Sequence, residues 1–232
     1  MSTAKFRTWR WGAIVLASVA CLALIAWGGF SYALRYQPSF YRQALAQTSD
    51  QAQVAGAELE RELLGLHNQV RHEGRWKLEL STAEINGWLG VDLPEKLPRL
   101  LPPEVTDPRV SLCDGQLLIA ARYHDQQDER SSRVISLHLD VSATSTPNEL
   151  ALRVDSARLG AVPLPLSKLI ERVSEAARRQ NIRLRWSEEA GRPLALLTLA
   201  PRHPEFPDQA IRLDSIHIEQ DRLAISGDVV KR

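Results

Sequence analysis

VSLCDGQLLI, residues 110–119, decides the fold. Asp114-Gly115 suits a type I′ turn, whose two central residues both need positive φ. A two-residue turn sets Leu112 opposite Leu117 and Val110 opposite Ile119, so all four share one side of a hairpin. Outward from this hairpin the period stays at two. Ile135, Leu137, Leu139 and Val141 alternate with Ser136, His138 and Asp140. After a turn at Thr146-Pro147-Asn148 come Leu150, Leu152 and Val154. The pattern is an antiparallel meander, apolar on one face and wet on the other.

A one-sided sheet needs a cover. Leu166, Leu169, Ile170, Val173 and Ala177 recur at helical spacing, with Lys168, Glu171, Arg172, Glu175 and Arg178 opposite. Strands resume at Ile182, Leu184 and Trp186, at Leu194 and Leu196, and at Ile211 and Leu213. The last hairpin sets Ile218 opposite Leu223 and Ile216 opposite Ile225. The apolar phase slips between Leu213 and Ile216, which predicts a bulge.

Upstream, residues 76–80 alternate as a strand. Ser81 and Glu84 form an S-x-x-E capping box, predicting a helix from Thr82 to Leu89 that stops at Gly90. The proline-rich segment 93–108 reads as an extended surface loop, and Asp125–Ser132 as a polar one. Ala52, Ala55, Leu59, Leu63, Leu66 and Val70 share a helical face, giving one long helix over 38–72.

Residues Trp11–Leu34 carry no charged side chain. A helix of that length reaches about 36 Å, enough to span a bilayer core. Lys5, Arg7 and Arg10 precede it, and the first acid of the chain is Asp50. The expectation is a cytoplasmic tail over 1–10, a single-pass transmembrane signal-anchor over 11–34, and an extracytoplasmic (periplasmic) domain over 76–230 at the bacterial inner membrane. A cleaved signal peptide is the alternative. The expected fold class is α+β: an N-terminal transmembrane helix, then a long helix and a curved antiparallel β-meander with helices packed on its apolar face.

Residues 36–232 hold 25 basic and 28 acidic side chains, so nucleic acid is not an expected partner. Cys21 and Cys113 are the only cysteines, one inside the expected span and one outside, so no internal disulfide is expected. No G-x-S-x-G, H-E-x-x-H, C-x-x-C or phosphate-cradling glycine loop occurs. His67 and His72 are five apart and point differently on a helix. His124, Asp125, Asp128 and Glu129 cluster in the polar loop, and Glu188-Glu189 sits in a hairpin turn. These read as solvated groups, and no catalytic, cofactor or metal residues are assigned. Arg172, Arg178, Arg179, Arg183 and Arg185 form the densest basic stretch. Trp88 and Trp186 are candidates to line an apolar groove.

Two short stretches carry a resemblance: Ala83-Glu-Ile-Asn-Gly-Trp-Leu89 after the first strand, and Gly160-Ala-Val-Pro-Leu-Pro-Leu166 before the later helix. With the order of elements over about 76–228, the chain resembles the YpmS-like group of membrane-anchored bacterial proteins. Its closing hairpin looks like that of TULIP-like lipid-binding domains. The resemblance implies a sheet wrapped on a helix around an apolar groove. It marks Asn86, Trp88, Gly160, Pro163, Pro165, Leu169 and Trp186 as groove or pattern positions. It carries over no catalytic residue.

The expected function is therefore non-catalytic: docking a protein partner, or scaffolding, in the cell envelope. Lipid or apolar-ligand binding between sheet and helix is the alternative, and an envelope enzyme the second alternative.

Overall fold

The computed structural model describes residues 27–125, 128–179, 181–200 and 209–231. Residues 27–34 are helical (α1), followed by α2 (Ser39–Leu45), α3 (Ser49–Gln69), β1 (Gly74–Ser81), α4 (Thr82–Gly90) and α5 (Asp92–Lys96). Next come β2 (Val105–Cys113), β3 (Gln116–Asp125), β4 (Asp128–Ala143), β5 (Glu149–Leu159) and β6 (Val162–Pro163). The chain ends with α6 (Leu166–Arg179), β7 (Arg183–Glu189), β8 (Arg192–Thr198), β9 (Gln209–Glu219) and β10 (Arg222–Lys231).

The expected fold class needs correction. Strand dominates, and it forms two antiparallel sheets in place of one curved sheet. A three-stranded sheet runs β1-β10-β9. A seven-stranded sheet runs β2-β3-β4-β5-β8-β7, with β6 added to β5. The helices do not all gather on the apolar face. α3 packs on β1 and α4, α4 packs along β2, and α2 lies on the polar face, where Tyr41 is buried with Ala120 and Val134.

The membrane-anchor expectation is also overturned. Residues 1–26 of the tail and span lie outside the described residues. Among those described, no helix is long and apolar enough to cross a membrane. The end of the expected span is seated on the domain: Ala161 N–H donates to the Ala33 C=O at 2.8 Å. The transmembrane, single-pass and inner-membrane assignments are withdrawn on that finding.

The expected helix over 38–72 is two helices. Thr48 caps α3 in a T-x-x-Q capping box with Gln51, which starts a new helix and breaks the old one. The proline-rich segment holds α5 and the start of β2. The Asp125–Ser132 region is strand on both sides of 126–127, because β3 and β4 extend the hairpin.

Local expectations held where a tight turn or cap set them. Val110 pairs Ile119, Leu112 pairs Leu117, and Ile216 pairs Ile225. The bulge leaves Asp214 unpaired between Leu213 and Ser215. The Ser81–Glu84 capping box is formed. Buried Trp76, Leu78 and Leu80 alternate along β1.

Four contacts fasten the sheets and helices. α3 and α4 cross backbone to backbone at Gly56 and Gly87, where a Cβ on Gly87 would strike the Ala52 carbonyl oxygen. Asn86 joins α4 to β2. Asn148, in the β4–β5 turn, donates to Ile211 C=O at 2.7 Å and accepts from Leu213 N–H at 2.6 Å. The β2–β3 turn meets β9 through Gly115 N–H to Ile218 C=O at 2.8 Å. Thus β9 runs across the turn end of the larger sheet and closes it.

Candidate apolar binding site

Cross-strand partners share a face, so the register places the apolar side chains in rows. One row is Val110, Ile119, Leu137 and Ala157; the next is Leu112, Leu117, Leu139 and Val154. Below them Val141, Leu152, Ala195 and Trp186 line up, and above them Ala121, Ile135 and Leu159. The opposite face carries Gln116, Asp140, Arg153, His138 and Ser136.

Helix α6 lies over the apolar face. On one side Trp186 Nε1 donates to Ser174 Oγ at 2.8 Å. On the other the Arg172 guanidinium sits 5.9 Å from the centre of the Tyr123 ring. Strands β4, β5 and β8 lie between β3, which carries Tyr123, and β7, which carries Trp186. The side chains beneath are covered unevenly. Val154, Ala157 and Ala195 are buried. Ile119, Ile135, Leu137, Leu139, Val141 and Leu152 are only half-buried, as are Leu166, Ile170 and Val173 of the helix. Those six sheet residues stand outside the clusters centred on Trp76, Tyr41 and Leu59. The space between this incompletely covered face and α6, bordered at its turn end by β9, is the candidate slot.

No protein-family model, curated protein or solved structure matches this chain. The site is read from its own residues.

The seven pattern positions are spread over the fold. Asn86 is buried, 4% exposed, and serves the α4–β2 junction. Trp88 packs on Leu59, Leu78 and Leu80. Gly160 has φ +61°, and a Cβ there would strike the Ala33 and Leu34 carbonyl oxygens. Pro163 is exposed at the end of the β6 edge strand, and Pro165 is exposed just before α6. Leu169 lies in α6, and its side chain is outside the described residues. Of the seven, Trp186 alone is placed by its contacts at the slot.

The sequence reading passed over Leu137, Leu139 and Leu152 as site residues and missed Ser174 altogether. Extending the hairpin register across β4 and β5 would have collected the leucines into one patch. Nothing in the sequence pairs Ser174 with Trp186.

Several polar groups elsewhere are engaged with one another. Arg153 reaches Asp140, Asp155 and Glu189, and Arg192 and Gln116 both reach Asp155. His124 meets Thr106 at 3.0 Å. Arg185 pairs with Glu149, and Arg179 with Glu175. Among the described residues no group of three or more His, Cys, Asp or Glu could hold a metal ion. Burial pushes the His138 imidazole below its ordinary pKa of 6.5, aided by Arg158 and opposed by Asp155. Burial raises the Tyr41 phenol above 10.0, and its hydroxyl donates to the Asp107 C=O at 3.0 Å.

Proposed function

We propose that this protein is a non-catalytic binding domain that takes an apolar, chain-like molecule between α6 and the larger sheet. The observation that carries this reading is the set of six half-buried aliphatic side chains in register across β3, β4 and β5. Each half-covered aliphatic side chain forgoes part of about 25 cal/mol per Å² of burial, which an apolar occupant would supply. A pocket of this kind, mostly apolar with a few polar groups near its rim, is the usual form of a small-molecule site.

Native mass spectrometry of the full chain with a long-chain alkyl probe tests the reading. The expected result is a one-to-one complex that Leu139→Glu abolishes while the far-ultraviolet circular dichroism is unchanged. No complex with the unaltered chain, or one that survives Leu139→Glu, would overturn it.

Docking of a protein partner is the second reading, favoured by α3. Val54 and Leu64 project outward from it, both exposed, ten residues and about 80° of helix rotation apart. A shallow hollow of about 700 Å³ beside Val54 is lined by Ala55, Ala83, Asp50, Glu58 and Glu84. An apolar floor with acidic walls suits a basic amphipathic helix. Val54→Lys with Leu64→Lys should remove partner crosslinks at α3 and leave probe binding intact. Crosslinks that survive the double substitution would reject this reading.

A further inference from the structure

We infer that the occupant of the slot is an anionic amphiphile, its charged head held by Arg133 and Arg172 and its chain lying along the apolar rows. The inference rests on the apolar-ligand reading and names the ligand class.

Arg133 is the cross-strand partner of Tyr123, so both stand on the apolar face, one row beyond Ala121, Ile135 and Leu159. Arg172 reaches the same place from above, over the Tyr123 ring. Both arginines thus neighbour Tyr123, at the end of the slot opposite β9. Among the described residues neither has a carboxylate within ion-pair distance, whereas Arg122, Arg153, Arg185 and Arg192 of the same sheet do. Half-buried Arg133 has given up part of its hydration, and no carboxylate among the described residues offsets the loss.

The arrangement is graded along one axis. Arg133 and Val141 lie eight residues apart on β4, about 27 Å of strand. That length begins with the two cations, continues through Ile135, Leu137 and Leu139, and ends beside the strands that β9 closes. A carboxylate or phosphate accepts the paired N–H donors of a guanidinium in its own plane. An alkyl chain behind it would complete the burial of the aliphatic rows. A neutral apolar molecule would use the rows and leave both arginines unmatched.

Displacement of a neutral apolar fluorophore from the full chain tests this with three probes of equal chain length: a fatty acid, an alkyl phosphate and a fatty alcohol. The two anions should bind about tenfold or more tighter than the alcohol. Arg133→Gln with Arg172→Gln should bring them to the level of the alcohol and leave the alcohol's own affinity unchanged. Tighter binding of the carboxylate points to free fatty acids, and of the phosphate to phospholipids; either supports the inference. An alcohol that binds as tightly as the anions, or an anion preference that survives the double substitution, overturns the headgroup assignment and leaves the apolar slot standing. Failure of all three probes to displace the fluorophore removes both. The urea midpoint of the double variant, expected to match the parent because Arg172 is exposed and half-buried Arg133 has no ion pair among the described residues, separates lost recognition from lost folding.

Discussion

Two hydrogen bonds join the Asn86 side chain to the backbone of Val110: Nδ2 donates to the carbonyl at 2.9 Å, and Oδ1 accepts from the N–H at 2.7 Å. Val110 belongs to β2, the edge strand of the larger sheet. The amide therefore pairs with an edge that would otherwise present free donors and acceptors. Asn148 does the same for β9, the edge of the smaller sheet. Two asparagines thus finish two sheets, one from a helix and one from a turn.

Removing Asn86 leaves both groups of Val110 buried and unpaired. Asn86→Ala should lower stability by about 2–4 kcal/mol, read as a fall in the urea midpoint with little change in slope. Asn86→Asp should recover none of it at neutral pH, since a carboxylate oxygen would then face the Val110 carbonyl. A loss below about 1 kcal/mol for Asn86→Ala would show that water replaces the amide without penalty.

Gly160 ties α1 to the domain. Its positive φ disfavours other residues, and a Cβ would displace the chain at Ala33 and Leu34. Gly160→Ala should break the Ala161 N–H bond to Ala33 and free residues 27–36. Hydrogen exchange at the Ala161 amide should rise sharply, while amides in β3 and β4 stay protected. Unchanged exchange at Ala161 would mean that the crossing tolerates a methyl group.

The sequence was informative where a structural choice is local. Asp114-Gly115 pins the register of its hairpin because a two-residue turn permits one alignment. Ser81 and Glu84 announce a helix start because both partners lie within four residues. Thr48 and Gln51 carry the same signal, and it was overridden by the apolar stripe that continues past it. Pairings between distant segments left no such mark. Nothing local says that β1 joins β10, or that β8 enters between β5 and β7. Asn86 reads as a polar residue on a short helix, because Val110 is 24 positions away. The apolar rows of the slot were legible as alternation. Their incomplete cover was not, since it depends on where α6 comes to rest.

His138 makes stability depend on pH. Its pKa is lowered in the folded protein, so the unfolded chain binds the proton more readily. The associated stability is present above about 6.5 and is lost as pH falls through the lower, folded value. The urea midpoint should therefore decline on acidification below pH 6.5. His138→Gln should flatten that decline without altering the midpoint's behaviour above pH 7. A decline of equal steepness in His138→Gln would place the titrating group elsewhere.

Ser174 holds α6 on the sheet through Trp186, and it is the contact whose loss should alter binding more than folding. Ser174→Ala leaves the half-buried indole N–H without its acceptor, at a cost of about 1 kcal/mol. Ser174→Ala, Trp186→Phe and the double substitution form a cycle whose coupling energy should be of that size. Because α6 roofs the slot, loosening it should speed release of an alkyl probe more than it slows capture. Stopped-flow dissociation with the neutral fluorophore would read this as a several-fold faster off-rate in either single variant and no further increase in the double. Off-rates that match the parent would mean that α6 does not govern exit, and the roof would have to be sought in another element.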